Sequence, residues 1–99
     1  MRLIAWKQLR DFYESSGQRA AEQPLRTWRA VVRASTWLQP ADVKRSFPQT
    51  DILKQGRAVF DIGGNKWRVV ARIDYVSGIV FVRFVGTHAQ YDRIDADLV

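Results

Sequence analysis

The chain has no cysteine, one histidine, one methionine and three prolines among 99 residues. Each scarcity removes a class of answer. Without cysteine there is no disulfide scaffold, no thiolate zinc site and no cysteine nucleophile. With a single histidine, a multi-histidine metal site cannot form within one chain. The opening Met1-Arg2-Leu3-Ile4-Ala5-Trp6-Lys7 lacks the apolar run of a signal peptide, and no later stretch has the length to span a bilayer. What is present is 46% apolar and 12% aromatic residues, enough for one core and too much for wholesale disorder. Cations outnumber anions 16 to 10, a net +6 with a pI near 10.3. That excess points to a polyanionic partner, with nucleic acid ahead of an anionic membrane surface. The expectation is a soluble, basic, cytoplasmic protein of one domain over residues 1–99.

The first half carries a helical period. Ala5, Trp6, Leu9, Phe12 and Tyr13 recur three and four residues apart, with Lys7, Gln8, Arg10, Asp11 and Glu14 between them. Ser15-Ser16-Gly17 stops that helix. A second spans roughly Ala20 to Trp37, with Leu25, Trp28, Val31 and Val32 on its apolar stripe and Arg26, Arg29 and Arg33 on the other side. Pro24 is tolerated only in a first turn, so this helix starts shortly before it. Gln39-Pro40-Ala41-Asp42 opens a short third helix that Phe47-Pro48 closes. Arg2-Leu3-Ile4 reads as a short strand ahead of all three.

The second half changes to a period of two. Arg57 to Ile62, Lys66 to Asp74 and Ile79 to Gly86 are β-branched and aromatic runs, separated by Gly63-Gly64-Asn65 and Tyr75-Val76-Ser77-Gly78. Both separators have hairpin-loop chemistry, so the pattern predicts an antiparallel three-stranded meander. The fold class is α+β, with N-terminal helices packed on one face of a small antiparallel sheet. Parity assigns the faces. Ala58, Phe60, Ile62, Trp67, Val69, Ala71, Ile73, Val80, Val82 and Phe84 form an apolar class that belongs against the helices. The other class, with Arg57, Asp61, Lys66, Arg68, Val70, Arg72, Phe81, Arg83, Val85 and Thr87, interleaves cations with apolar residues.

Lys54, Arg57, Lys66, Arg68 and Arg72 are the cations for a concave phosphate-binding face; the bland alternative is a solvated face whose arginines pair with Asp61 and Asp74. From Lys54 to Arg83 there are six cations against two anions, which favours a polyanion. His88 follows the last strand at the rim of this face, and Tyr91 lies one helical turn on, in Ala89-Gln90-Tyr91-Asp92-Arg93-Ile94. Histidine is the side-chain type whose proton exchange falls near neutral pH, so proton transfer goes to it first, although a lone histidine is more often structural. For RNA cleavage these parts suffice without metal: a base for the 2′-hydroxyl, cations on the pentacoordinate phosphate, and an acid for the leaving oxygen. Gly63-Gly64-Asn65-Lys66 lacks P-loop spacing and reads as a turn. Asp92, Asp95 and Asp97 read as a solvated end before a cation site. Trp6, Trp28 and Trp37 read as core or partner-facing residues.

Three stretches carry a resemblance. Ile52-Leu53-Lys54, then Val59-Phe60-Asp61-Ile62-Gly63-Gly64-Asn65-Lys66-Trp67-Arg68, then Arg83-Phe84-Val85-Gly86-Thr87-His88-Ala89-Gln90-Tyr91-Asp92-Arg93-Ile94-Asp95 resemble HigB-type toxins of bacterial type II toxin–antitoxin systems, within the RelE-like superfamily. The similarity reaches upstream through Ala21-Glu22-Gln23-Pro24-Leu25 and Trp28. It implies a compact α+β fold and an endoribonuclease, an mRNA interferase, that cuts message in the ribosomal A site with neither metal nor organic cofactor. It also implies a HigA-type helix-turn-helix antitoxin as partner, a toxin–antitoxin heterotetramer, and contact with operator DNA only through that complex.

Carried over residue by residue, the resemblance makes Arg68 the middle-strand arginine, His88 the basic group after the last strand's glycine, and Tyr91 the C-terminal tyrosine. Lys54 and Arg57 supply cations beside the first strand, and Lys66 and Arg72 complete the RNA-binding face. Lysine is sparser near that strand than in some RelE-like proteins, which leaves the general base open. Two other classes stay in view. A non-catalytic RNA- or ribosome-binding module would use the same face, and an interaction protein would carry inert surface cations. A helix-turn-helix repressor is disfavoured because the most distinctive half is strand, and membrane action because no helix has the required apolar face and flanks.

Overall fold

The computed structural model describes residues 1–15 and 17–99. A five-stranded sheet has the order β1-β5-β4-β3-β2, formed by β1 (Arg2–Ile4), β2 (Asp51–Ile52), β3 (Arg57–Ile62), β4 (Trp67–Asp74) and β5 (Ile79–Thr87). The antiparallel meander β3-β4-β5 forms its centre. Two short strands extend it. β2 adds antiparallel to β3, and β1 adds parallel to β5, with Arg2 opposite Ile79. Four α-helices accompany the sheet: α1 (Trp6–Glu14), α2 (Glu22–Ala34), α3 (Pro40–Ser46) and α4 (His88–Tyr91).

Local chemistry explains the boundaries. α1 ends where the Ser15 N–H returns to the Phe12 carbonyl at 3.1 Å; Ser16, in the expected stop signal, lies outside the described residues. Pro24 falls within the first turn of α2, where an N–H would have no partner. α2 stops at Ala34, short of the expected Trp37. Ser35 turns extended and its hydroxyl binds the Val31 carbonyl at 2.6 Å, competing with another helical turn. Trp37 therefore reaches the core from a loop.

The core lies between α1–α3 and one sheet face. Leu25, Trp28 and Val32 of α2 are buried, spaced by three and four residues as an amphipathic helix requires. They meet Phe60, which contacts the rings of Trp28, Trp37 and Phe47 at centroid distances of 5.2, 6.3 and 5.4 Å. Ala58, Ile62, Trp67, Val69, Ala71, Ile73, Val80 and Val82 complete the layer. Trp67 is pinned from outside the sheet, donating Nε1–H to Gln18 Oε1 at 2.9 Å. Gly63, at φ +61°, turns tightly beside that indole; a Cβ there would lie 2.6 Å from it.

The expected parity holds on β3 and β4 and on the first half of β5, then inverts. Val82 pairs with Ala71 but Phe84 pairs with Val70, so Arg83 is an extra residue without a partner. This β-bulge rotates the end of the strand by one register position. Phe84 leaves the core side that alternation gave it, and Val85 packs against the core instead. Gly86 lands opposite Arg68.

Candidate active site

The bulge determines what gathers on the sheet face turned away from α1–α3. Arg68 stands on that face with Asp61 beside it on β3 and Gly86 on β5. Its Nε lies 3.1 Å from Asp61 Oδ1, and its Nη2 donates to Asn65 Oδ1. The guanidinium carbon sits 5.7 Å from the centroid of the Tyr91 ring, near enough for a cation–π contact. The Arg68 side chain is 11% exposed, so its orientation is fixed by these partners. Gly86 leaves space for the cluster: a Cβ there would come within 2.5 Å of Phe84 Cζ and 2.8 Å of Gln90 Oε1. Phe84, delivered by the bulge, packs 6.5 Å from the Tyr91 ring.

α4 begins immediately after β5, and its start is locked by reciprocal bonds. Thr87 Oγ1 accepts from the Gln90 N–H at 3.1 Å, and Gln90 Oε1 accepts from the Thr87 N–H at 2.8 Å. Thr-x-x-Gln is a capping-box spacing visible in the chain. The His88 N–H donates to the Lys66 carbonyl at 3.0 Å, tying this helix to the start of β4. One turn on, Asp92 Oδ2 lies 3.1 Å from His88 Nδ1. An ionised carboxylate only accepts, so this contact is made with Nδ1–H as donor and leaves Nε2 outside it. The imidazole is 45% exposed, open to a ligand. Burial pushes the Tyr91 phenol above its ordinary pKa, with Asp51 adding to the shift and Arg68 opposing it. At neutral pH Tyr91 is therefore a hydrogen-bond donor.

The expected residues form two groups. Arg68 lies against Tyr91, and the backbone of His88 is bonded to that of Lys66, all where β4 begins and β5 ends, with Lys66 exposed in the β3–β4 turn. Arg57 and Arg72 pair across β3 and β4 at the other end, four residues from Arg68, about 13 Å along the strand. Between the groups Val59 and Val70 are 1% and 0% exposed. Arg72 lies over the Phe81 ring at 4.8 Å, and Arg57 Nε donates to the Val99 carbonyl at 2.9 Å. Lys54 projects from the exposed turn after β2. The five face cations thus make a band with an apolar divide. Asp61, expected only as a charge-neutralising partner, Asn65, expected as a hairpin-turn residue, and Phe84, expected on the core face, all join this site instead. In sequence Asp92 reads as part of a solvated acidic end, although its spacing of four from His88 was available. Among the described residues, no three of His, Cys, Asp or Glu converge at metal-binding distance. Trp28 and Trp37 are core, while Trp6 is half-buried under arginines.

Comparison with known proteins places this sequence in a family. The mRNA interferase toxin HigB of Escherichia coli K12 is 34% identical over 98 residues, 97% of this chain and 92% of that protein. The mRNA interferase HigB of Shigella flexneri matches with the same identity and coverage. The mRNA interferase HigB of Escherichia coli O6:H1 is 33% identical over 66 residues, 65% of this chain and 64% of that relative's length. Residues 21–94 match the HigB toxin family model, described as the RelE-like toxic component of a toxin–antitoxin system. That match covers α2 through α4 and so includes Arg68, His88 and Tyr91; the chain belongs to the HigB toxin family.

Proposed function

We propose that this chain is a cytoplasmic mRNA interferase that cleaves message in the ribosomal A site through its own side chains, without a metal ion. One observation carries the reading: a semi-buried arginine, held by Asp61 and Asn65 against a protonated tyrosine, pairs with Gly86, two residues before a carboxylate-paired histidine. Those are the groups that phosphodiester cleavage needs. His88 Nε2 takes the proton of the attacking 2′-hydroxyl as the bond from O2′ to phosphorus forms. Arg68 faces the phosphorane with planar N–H donors, its charge matching the added negative charge. Tyr91 donates a hydrogen bond to a non-bridging oxygen. As the bond to O5′ breaks, a proton returns to that oxygen, leaving a cyclic 2′,3′-phosphate and a 5′-hydroxyl. Asp92 holds the imidazole in its Nδ1–H tautomer and stabilises the charged form.

Lys66 lies beside His88 and contacts RNA next to the cut, while Lys54, Arg57 and Arg72 track the backbone further along the face. A site with so few fixed groups gains from a substrate aligned for it, which is what the ribosome supplies. The same reading gives the chain a HigA-type helix-turn-helix antitoxin, assembly with it as a heterotetramer, and access to operator DNA only through that complex. No helix of the described residues is long and apolar enough to cross a membrane.

Primer extension on a defined mRNA with purified ribosomes tests the activity. Discrete cuts that require ribosomes and vanish in His88→Ala are the expected result. Cuts that persist in His88→Ala move proton transfer to another group. A folded wild type that binds ribosomes without cutting supports the binding-module reading. A sulfur-substituted scissile phosphate should slow cleavage without rescue by a thiophilic metal; rescue would overturn the metal-free step.

A further inference from the structure

On the helix side of the molecule most cations are already neutralised. Lys7, Arg10, Arg19, Arg26 and Arg45 each lie 2.6–3.9 Å from a neighbouring carboxylate. Arg2, Arg29 and Arg33 have no such partner among the described residues, and all three line one cleft of about 520 Å³ with Met1, Leu3 and Trp6. Among the described residues no acidic side chain lines it. Arg29 lies over the Trp6 ring at 4.6 Å with its Nε buried and unbonded. Arg29 and Arg33 are four residues apart on α2, so they share one face of the helix.

The wall of this cleft is β1, an edge strand. It pairs only with β5, and the Arg2 N–H donates to the Gly78 carbonyl at 2.8 Å. Alternate residues of a parallel strand bond to the neighbour, so the N–H and C=O of Leu3 lie on the free edge. We propose that the open edge of β1 and the adjoining arginine cleft dock an extended, acidic segment of the antitoxin. A peptide satisfies both halves of the surface. Its main chain bonds to the Leu3 edge as an added strand, and its carboxylates meet Arg2, Arg29 and Arg33, which accept such groups bidentately. An RNA strand would use the arginines and leave the strand edge unpaired, which is why the geometry favours a protein.

The surface is remote from the candidate active site. Leu3 pairs with Val80, opposite Ile73, whereas Arg68 faces Gly86, five β4 positions and about 17 Å further along the sheet. Docking here leaves Arg68, His88 and Tyr91 open. The inference rests on the family's toxin–antitoxin pairing and is independent of whether the chain cuts RNA.

The test uses the full-length chain and its full-length cognate antitoxin, with affinity measured by titration calorimetry and amide hydrogen exchange followed in the complex. Arg2 and Arg33 are both exposed, so Arg2→Glu with Arg33→Glu should fold as wild type, checked by its melting curve. Its affinity should fall at least about tenfold. Arg83→Glu with Arg93→Glu, an equal charge change elsewhere, should leave affinity within about twofold. In the wild-type complex the Leu3 amide should exchange more slowly than in the free chain. Unchanged affinity for the cleft variant, or a Leu3 amide that exchanges equally free and bound, overturns the proposal. Loss of ribosome binding by that variant with antitoxin affinity intact also overturns it and assigns the cleft to RNA. A wild-type chain that binds no antitoxin removes the partner itself.

Discussion

Asp61→Asn keeps the shape of the side chain beside Arg68 and removes its charge. The pair stands at 3.1 Å with its side chains 11% and 28% exposed, between the surface and interior regimes. Surface pairs contribute about 0.2–1 kcal/mol, and breaking a buried pair costs about 3–5 kcal/mol, which brackets this loss at about 1–2 kcal/mol. For a chain of this size that lowers the melting midpoint by roughly 4–16 °C. The effect on cleavage should be larger. Arg68 loses the group holding its Nε and keeps Asn65, and a catalytic group misplaced by about 1 Å costs up to about a hundredfold. Single-turnover primer extension should therefore slow about ten- to a hundredfold while ribosome association is unchanged. In an Arg68→Ala background, Asp61→Asn should add nothing, because Asp61 acts through the guanidinium. An equal slowing in both backgrounds would falsify that assignment. A loss of stability with an unchanged rate would remove Arg68 from the chemistry as well.

Phe60→Ala should cost about 3–5 kcal/mol, read by urea unfolding, because the ring is 1% exposed and contacts three other aromatic rings. Gly86→Ala drives a methyl into Phe84 and Gln90, so a cost of about 1–3 kcal/mol should accompany a drop in cleavage beyond what the unfolded fraction explains. Burial raises the pKa of Tyr91, so the folded state holds that proton more tightly than the unfolded one. This contribution is complete below the ordinary tyrosine value of about 10 and is lost as pH rises through the raised one. Tyr91→Phe should flatten its share of that alkaline loss in urea titrations, leaving the share of Tyr75, which burial also raises. Asp74 has the opposite sign. Bonds from the Ser77 and Val76 N–H groups depress it, so its contribution is present above the ordinary aspartate value and lost as pH falls through the lowered one. Asp74→Asn should remove that part of the acid-side decline.

Periodicity was sufficient for most of the architecture. The stripe Leu25, Trp28, Val32 and the runs Arg57–Ile62 and Ala71–Ile73 announce their elements because their core-facing residues recur at the helix or strand period and are buried. The ends were less legible. Ser35 follows a helical pattern, and whether the helix continues or stops there depends on a hydrogen bond that pattern does not record. β1 was legible as Arg2-Leu3-Ile4, but its parallel pairing with β5 was not; β2 is two residues long, too short for an alternation to register, and exists because β3 offers it an edge. Among the site groups, Arg68, His88 and Tyr91 were reachable through the resemblance, as expectations. Asp61 and Asn65 become meaningful only once register sets them beside Arg68. The band of cations also looked continuous, because alternation gives the face of a residue and not the distance along the strand.

The extra residue at Arg83 divides β5 into two lengths that run out of phase. Residues before it answer to the core through Val80 and Val82; beyond it, Phe84 and Gly86 answer to the site. A strand built this way has an unusual tolerance profile. Substituting the unpaired residue is mild, since nothing pairs with it, whereas deleting it restores a regular ladder and turns everything after it over. The helix bearing His88 and Tyr91 would then start from the wrong face of an otherwise sound sheet. Chain length at this one point, more than the identity of any side chain there, sets which way the machinery faces.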